Sequence, residues 1–275
     1  MFVTFVYIVL LPMIWKESIC MVQKLGTLRS FSYVPRTMNQ QKYVDSLQNN
    51  YKSLVVAIGP AGSGKTLFAC SQAMKSLKRG EIQKVLITRP LVPVDEEEIG
   101  FLPGTLNNKM DPWVRPMMDS FREIFSATEI TKMIQVGTLE IVPLAFLRGR
   151  TFHETFVIAD EMQNASPSQM LMLMTRMGQE SKLVITGDMQ QSDLSIEKNG
   201  LNDFVERYER YLRDIGEYRE KDIALVRFNT SDIFRSSLVH HILDIYQTTD
   251  RNQKTVESQM DHIVPLRDYG RPYLR

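Results

Sequence analysis

Cysteine is nearly absent: Cys20 and Cys70 are the only two in 275 residues. One pair cannot staple a disulfide framework, so the chain reads as a cytoplasmic protein that rests on a buried core. Cys70 falls on an apolar helical position and reads as packing. Histidine is scarce too, at four, and none stands at Cys/His ligand spacing, which leaves no zinc site to propose. A charge excess is also lacking. The 33 basic and 32 acidic residues give a net charge of +1, which argues against a strongly basic nucleic-acid surface while leaving room for a local basic groove. There is no internal repeat and no low-complexity run. The one long apolar stretch, Phe2 to Trp15, is shorter than the roughly 20 residues a spanning helix needs. It also lacks the basic start and small-residue cleavage site of a secretory signal. A third reading makes it an upstream extension with Met21 as the start; this is preferred, because nothing else points to a membrane.

What is present is a core-forming composition, 43% hydrophobic and 24% charged. Short β-branched apolar runs alternate with helical spacing. Strands are expected at Leu54–Ile58, Val85–Thr88, Leu139–Val142, Phe156–Ala159, Leu183–Thr186 and Ile223–Phe228. Helices are expected at Lys65–Leu77, Trp113–Phe125, Ser168–Met177, Leu201–Ile215 and Asp232–Tyr246. Such alternation implies a mostly parallel sheet with helices on both faces. Arg89–Asp111, rich in proline, glycine and acidic residues, reads as a long loop, and such loops inside compact domains are usually functional or disordered. Gln23–Arg36 reads as an irregular arm, and the polar residues from Gln247 onward as a surface tail.

Gly59-Pro60-Ala61-Gly62-Ser63-Gly64-Lys65-Thr66 fits G-x-x-x-x-G-K-[ST] between an expected strand and an expected helix, which is the context the motif requires. Glycines let successive backbone N–H groups converge on an anion, and the positive end of the following helix adds to the attraction. Lys65 then reaches β- and γ-phosphates, and Thr66 offers a hydroxyl to Mg²⁺. The pattern points to a nucleoside triphosphate, ATP with Mg²⁺. Phe156–Ala159 runs into Asp160-Glu161, where strand C-termini meet a ligand crevice. Asp160 is the candidate to hold Mg²⁺ and Glu161 to polarise the attacking water. The plainer reading, acidic residues favoured at a helix start, loses weight beside a P-loop. Leu183–Thr186 leads into Gly187-Asp188 and then Gln191, which is placed to contact the γ-phosphate or the water; ordinary turn chemistry is the alternative.

Taken together these motifs resemble the PhoH-like family of P-loop ATPases (phosphate-starvation-inducible proteins), met in bacteria and their phages and similar to the motor core of superfamily 1 helicases. The resemblance runs from about Asn39 to Tyr246. It includes Asn39-Gln40 with Tyr43, Arg89-Pro90, Gly100 to Gly104, Arg148-Gly149-Arg150-Thr151, Asp160-Glu161-Met162-Gln163-Asn164, Gly187-Asp188 with Gln191 and Asp193-Leu194, and Arg235. It implies a RecA-like P-loop NTPase fold over residues 37–246, with an extension at 1–36 and a tail at 247–275. It also implies adenine recognition by Gln40 and coupling to RNA or single-stranded DNA. Met162 and Ser236 depart from the family pattern, which has Ala and commonly His there. An arginine must supply charge near the γ-phosphate, with Arg235, Arg148 and Arg150 as candidates and surface salt bridges as the plainer reading of each. One such domain offers a single wall of a nucleotide site. A homo-oligomer, a hexameric ring by family resemblance, is expected to supply the other. A regulatory or assembly module gated by nucleotide, with no nucleic-acid substrate, is the alternative function.

Overall fold

A computed structural model describes residues 33–90, 118, 121–122, 125–195, 198–215 and 221–234. Six strands form one sheet: β1 (Leu54–Ile58), β2 (Lys84–Thr88), β3 (Leu139–Ile141), β4 (Thr155–Ala159), β5 (Lys182–Gly187) and β6 (Ile223–Arg227). Their order is β3-β2-β4-β5-β1-β6 and every pairing is parallel. Among the described residues the α-helices that accompany them with both ends in view are α1 (Met38–Gln48), α2 (Lys65–Arg79), α3 (Ala127–Gln135), α4 (Pro167–Met174) and α5 (Gly200–Ile215). The chain leaves β1 toward β2 on one side and later returns past β1 to β6 on the other. That reversal makes the carboxyl end of β1 a topological switch point, where open α/β sheets bind ligands.

The inner strands β1, β2, β4 and β5 are largely apolar because both sheet faces are covered there. Val55, Ala57, Val85, Ile87, Phe156, Ile158 and Val184 pack with Tyr43, Phe68, Ala73, Leu77 and Ile130 of α1, α2 and α3. The alternate residues, Val56, Ile58, Leu86, Val157, Ala159, Leu183 and Ile185, pack with Met170, Leu173, Leu201 and Val205 of α4 and α5. A one-residue slip in any of these strands would exchange the two sets. Met162, the departure from the family's Ala, is fully buried in the second cluster.

The expected strands and the helices α2, α4 and α5 stand within a residue or a few of their observed ends. Two helices have no counterpart in the apolar spacing. In α1 only Gln40, Tyr43 and Leu47 are buried, so its inner face is half polar. In α3 the inner face is Ile130 and Met133, and the helix opens with a capping box between Ser126 and Glu129, a signature present in the sequence. Residues 118, 121 and 122 are helical, in keeping with the helix expected there. Of the helix expected over Asp232–Tyr246 only the first residues are described, and a 3-10 turn, Thr230–Asp232, in which Asn229 and Asp232 cap one another, leads into them; the rest, from residue 235, lies outside the described residues. Described residues to Ile233 form one compact unit, and a second begins at Phe234. The apolar start, most of the loop after Arg89, Arg235 and the tail lie outside the described residues.

Candidate nucleotide site

β1 ends at Ile58 and the chain turns through Gly59–Gly64 into α2. Gly59, Gly62 and Gly64 have φ of +142°, +85° and +88°. At Gly59 a side chain is also sterically barred, since a Cβ would lie 2.5 Å from Phe228 O and 2.7 Å from Phe228 Cβ. The loop thus owes its path to the chain leaving β6. Lys65 is folded into it, donating from Nζ to Gly59 O at 2.7 Å, Pro60 O at 2.9 Å and Ser63 Oγ at 3.3 Å. Fifteen residues of α2 follow, with Gly64 as its N-cap and no side chain capping the end. The first N–H groups of that helix are therefore available to an anion.

The loop is braced from outside. Gln40, 3% exposed, accepts at Oε1 from the Arg36 N–H and donates from Nε2 to Ser63 O at 3.1 Å and Asp232 O at 3.4 Å. Tyr43 donates to Lys65 O at 3.1 Å and meets Phe228 edge-on at 5.5 Å. Burial pushes the Tyr43 hydroxyl well above its ordinary pKa, so it stays a proton donor. Both ends of the Gln40 amide are thus committed to the protein, and contact with a base would require one of these bonds to be exchanged.

Three strand ends meet beside the loop. Asp160 follows β4 and receives two hydroxyls on one oxygen: Thr66 Oγ1 donates to Oδ1 at 2.8 Å, and Thr186 Oγ1, on β5, donates to the same atom. Glu161, next along, has φ +54°, a left-handed conformation that a residue with a Cβ adopts only at a cost. Its Oε2 accepts from Gln163 Nε2 at 2.6 Å. Gln163, 1% exposed, accepts in turn at Oε1 from the Asp188 N–H at 3.1 Å. The structure thus joins the P-loop, Asp160, Glu161 and the end of β5 by direct bonds. Gln191 is exposed at the end of a 3-10 turn, and its backbone carbonyl lies 3.5 Å from Gln163 Nε2. Thr186 carries no motif signal in the sequence, and Gln163 stands inside the Asp160–Asn164 motif with no role that the motif assigns to it.

The residues fit a magnesium ion in the manner of nucleotide sites. A carboxylate and a hydroxyl converge at the start of the phosphate-binding helix, and oxygen donors of this kind suit a hard cation that takes its other ligands from phosphates and water. Among the described residues no arginine side chain bonds to Thr66, Asp160, Glu161 or Gln163. Arg150 instead forms a two-pronged ion pair with Glu140, at 2.8 Å from each nitrogen, and lies 5.2 Å over the Phe152 ring. Arg148 is exposed, and so is Phe146 two residues before it.

A phosphate-binding loop at the switch point of a parallel sheet, facing a strand that ends in Asp-Glu, defines a P-loop NTPase fold of the RecA-like α/β kind. The profile of the PhoH-like protein family matches residues 33–247, and the chain belongs to that family. It is 39% identical over 211 residues to a PhoH-like protein of Bacillus subtilis (strain 168), covering 77% of this chain and 63% of that one. It is 39% identical over 213 residues to a PhoH-like protein of Mycobacterium tuberculosis (strain ATCC 25618 / H37Rv), covering 77% and 57%. It is 34% identical over 214 residues to Protein PhoH of Escherichia coli (strain K12), again covering 77% and 57%. The matched stretch is thus about three fifths of these relatives' own length. Among solved structures, the Sulfolobus solfataricus SWI2/SNF2 ATPase core in complex with dsDNA aligns with a TM-score of 0.41 and 13% identity, over 75% of this chain and 47% of that one. Among the described residues no helix is long and apolar enough to cross a membrane.

Proposed function

We propose that this protein binds ATP and hydrolyses it to ADP and phosphate. The observation that carries the reading is the bonded cluster of Thr66, Asp160 and Thr186 beside a Gly59–Thr66 loop into which Lys65 is folded. The loop N–H groups and Lys65 hold the β- and γ-phosphates, and Gln40, bonded to Ser63 O of the loop, is the residue assigned to the adenine base. Thr66 and Asp160 hold Mg²⁺, which when bound neutralises phosphate charge. Glu161 accepts a proton from water as the water oxygen forms its bond to the γ-phosphorus. The bond from that phosphorus to the β-phosphate oxygen breaks, and ADP leaves with the electron pair. Charge at the transition state then calls for an arginine. Arg150 is committed to Glu140, which leaves Arg148, or Arg235 beyond the described residues, supplied by a neighbouring copy in a ring. Coupling to single-stranded RNA or DNA is favoured by one observation: Phe146 and Arg148, an aromatic ring and a cation, are exposed on one turn, the combination that single-strand sites use.

The test is phosphate release by three proteins. Lys65→Ala should lose nucleotide binding while remaining folded. Glu161→Gln should bind Mg-ATP as the wild type does and turn over at least about a hundredfold more slowly. Wild-type turnover in either variant would remove the assignment. Single-stranded RNA or DNA should raise the wild-type rate; an unchanged rate favours the nucleotide-gated module instead.

A further inference from the structure

Glu161 needs a device to aim it. Its left-handed backbone lies between β4 and a 3-10 turn, Met162–Asn164, and its side chain is only half-buried. No regular element sets its direction, yet a group that activates water must be held to within about half an ångström of its working position. We propose that Gln163 is the positioning residue for Glu161, and that it ties the carboxylate to the segment after β5, so that water activation follows the position of that segment. This rests on the assignment of Glu161 as the water-activating group.

The orientation of the Gln163 amide is dictated by its partners. The Asp188 N–H is a donor and accepts nothing, so it takes Oε1 and leaves Nε2 to face Glu161 Oε2. The amide is 1% exposed, so it has no water to exchange these bonds with. The backbone around it is clamped to the same segment: Ser192 Oγ donates to Gln163 O at 3.0 Å, and the Asp193 N–H donates to Asn164 Oδ1 at 3.0 Å. The close approach also explains Gly187. A Cβ there would lie 2.9 Å from Gln163 Oε1 and 2.4 Å from Leu201 Cδ2, so a larger residue would push β5 away from the amide. A displacement of residues 188–193 therefore reaches the Glu161 carboxylate directly through the Gln163 amide, and the turn that carries it through the two clamps at Gln163 O and Asn164.

Two near-isosteric substitutions test this. Gln163→Glu can still accept from the Asp188 N–H and cannot donate to Glu161. Gln163→Met keeps the shape and loses the bonds to Glu161, the Asp188 N–H and Gln191 O. Steady-state Mg-ATP hydrolysis, affinity for a fluorescent ATP analogue and thermal melting are measured on both, on Glu161→Gln, and on the Glu161→Gln/Gln163→Met double variant. Both Gln163 variants should lose about tenfold or more in kcat with nucleotide affinity within about threefold of wild type, the mark of an interaction spent on chemistry rather than binding. The double variant should be no slower than Glu161→Gln, because the two residues act as one unit. Wild-type kcat in Gln163→Glu, beside a slow Glu161→Gln, would overturn the proposal and leave Gln163 a buried structural amide, even if Gln163→Met melts early. Independent, additive losses would overturn it as well. A fast Glu161→Gln would instead remove the underlying assignment, a different and distinguishable result.

Discussion

The ion cluster on the sheet edge separates a structural arginine from a catalytic one. Glu140 lies on β3 and accepts from Arg150 through both oxygens and from Lys84 Nζ at 2.9 Å. The Arg150 guanidinium holds the Glu140 carboxyl at about 2, with burial opposing and Lys84 assisting. Against an ordinary value of 4.5 that is a depression of some 2.5 units, an upper bound of about 3.4 kcal/mol at 1.36 kcal/mol per unit. The side chains of Lys84, Arg150 and Glu140 are 35%, 33% and 27% exposed, so solvent screening reduces the net effect to about 1–2 kcal/mol. Glu140→Gln should therefore lower the unfolding free energy by that amount at pH 7, read by urea denaturation.

The sign follows from linkage. The folded carboxyl has the lower pKa, so its contribution is complete above the unfolded value near 4.5 and is lost as pH falls through about 2. The gap between wild type and Glu140→Gln should narrow steadily below pH 4.5 and close near pH 2. A gap that is constant with pH would refute the linkage. Arg150→Ala should cost a similar amount of stability while leaving kcat for ATP within about threefold. A folded Arg150→Ala that loses about a thousandfold in kcat, the scale of an arginine finger, would refute the assignment of Arg150 to structure.

Gly59→Ala should destabilise the protein by about 2–5 kcal/mol, because strain at φ +142° adds to collision with the Phe228 backbone, and a melting temperature equal to wild type would count against the packing described here. Thr186→Val removes one of the two donors on Asp160 and should weaken Mg-ATP binding by about five- to a hundredfold; unchanged affinity by titration calorimetry would make Thr186 a bystander. If a neighbour supplies the arginine, specific ATPase activity should rise with protein concentration as light scattering reports assembly in Mg²⁺ and a non-hydrolysable ATP analogue. A strict monomer with constant specific activity would dismiss the ring.

How far the sequence disclosed this molecule depends on whether a feature is local. β1 and β4 were legible because both faces of the sheet are covered, which makes Val55, Val56, Phe156 and Val157 alike in hydrophobicity and the run conspicuous. The P-loop was legible because its chemistry lies in eight consecutive residues. The helix α1 was hidden by its work: Gln40 and Tyr43 face inward to bond Ser63 O and Lys65 O, so its buried stripe carries polar atoms and does not read as amphipathic. The long loop after Arg89 was read from composition alone, and nearly all of it lies outside the described residues.

The site residues divide along the same line. Asp160 and Glu161 announce themselves as two carboxylates at the end of an apolar strand. Thr186 stands in another apolar strand, where a threonine is unremarkable, and only the β4–β5 pairing brings its hydroxyl to Asp160. Gln163 is two residues from Glu161, yet its meaning comes from Asp188, which lies 25 positions further along the chain. Local motifs identify the groups that meet phosphate and water, while the groups that aim them are specified by strand order. In this fold the order β4-β5-β1 sets the aspartate, the threonine and the P-loop side by side. A search for positioning residues in such proteins should therefore start from the strand flanking the acidic one, at its carboxyl end.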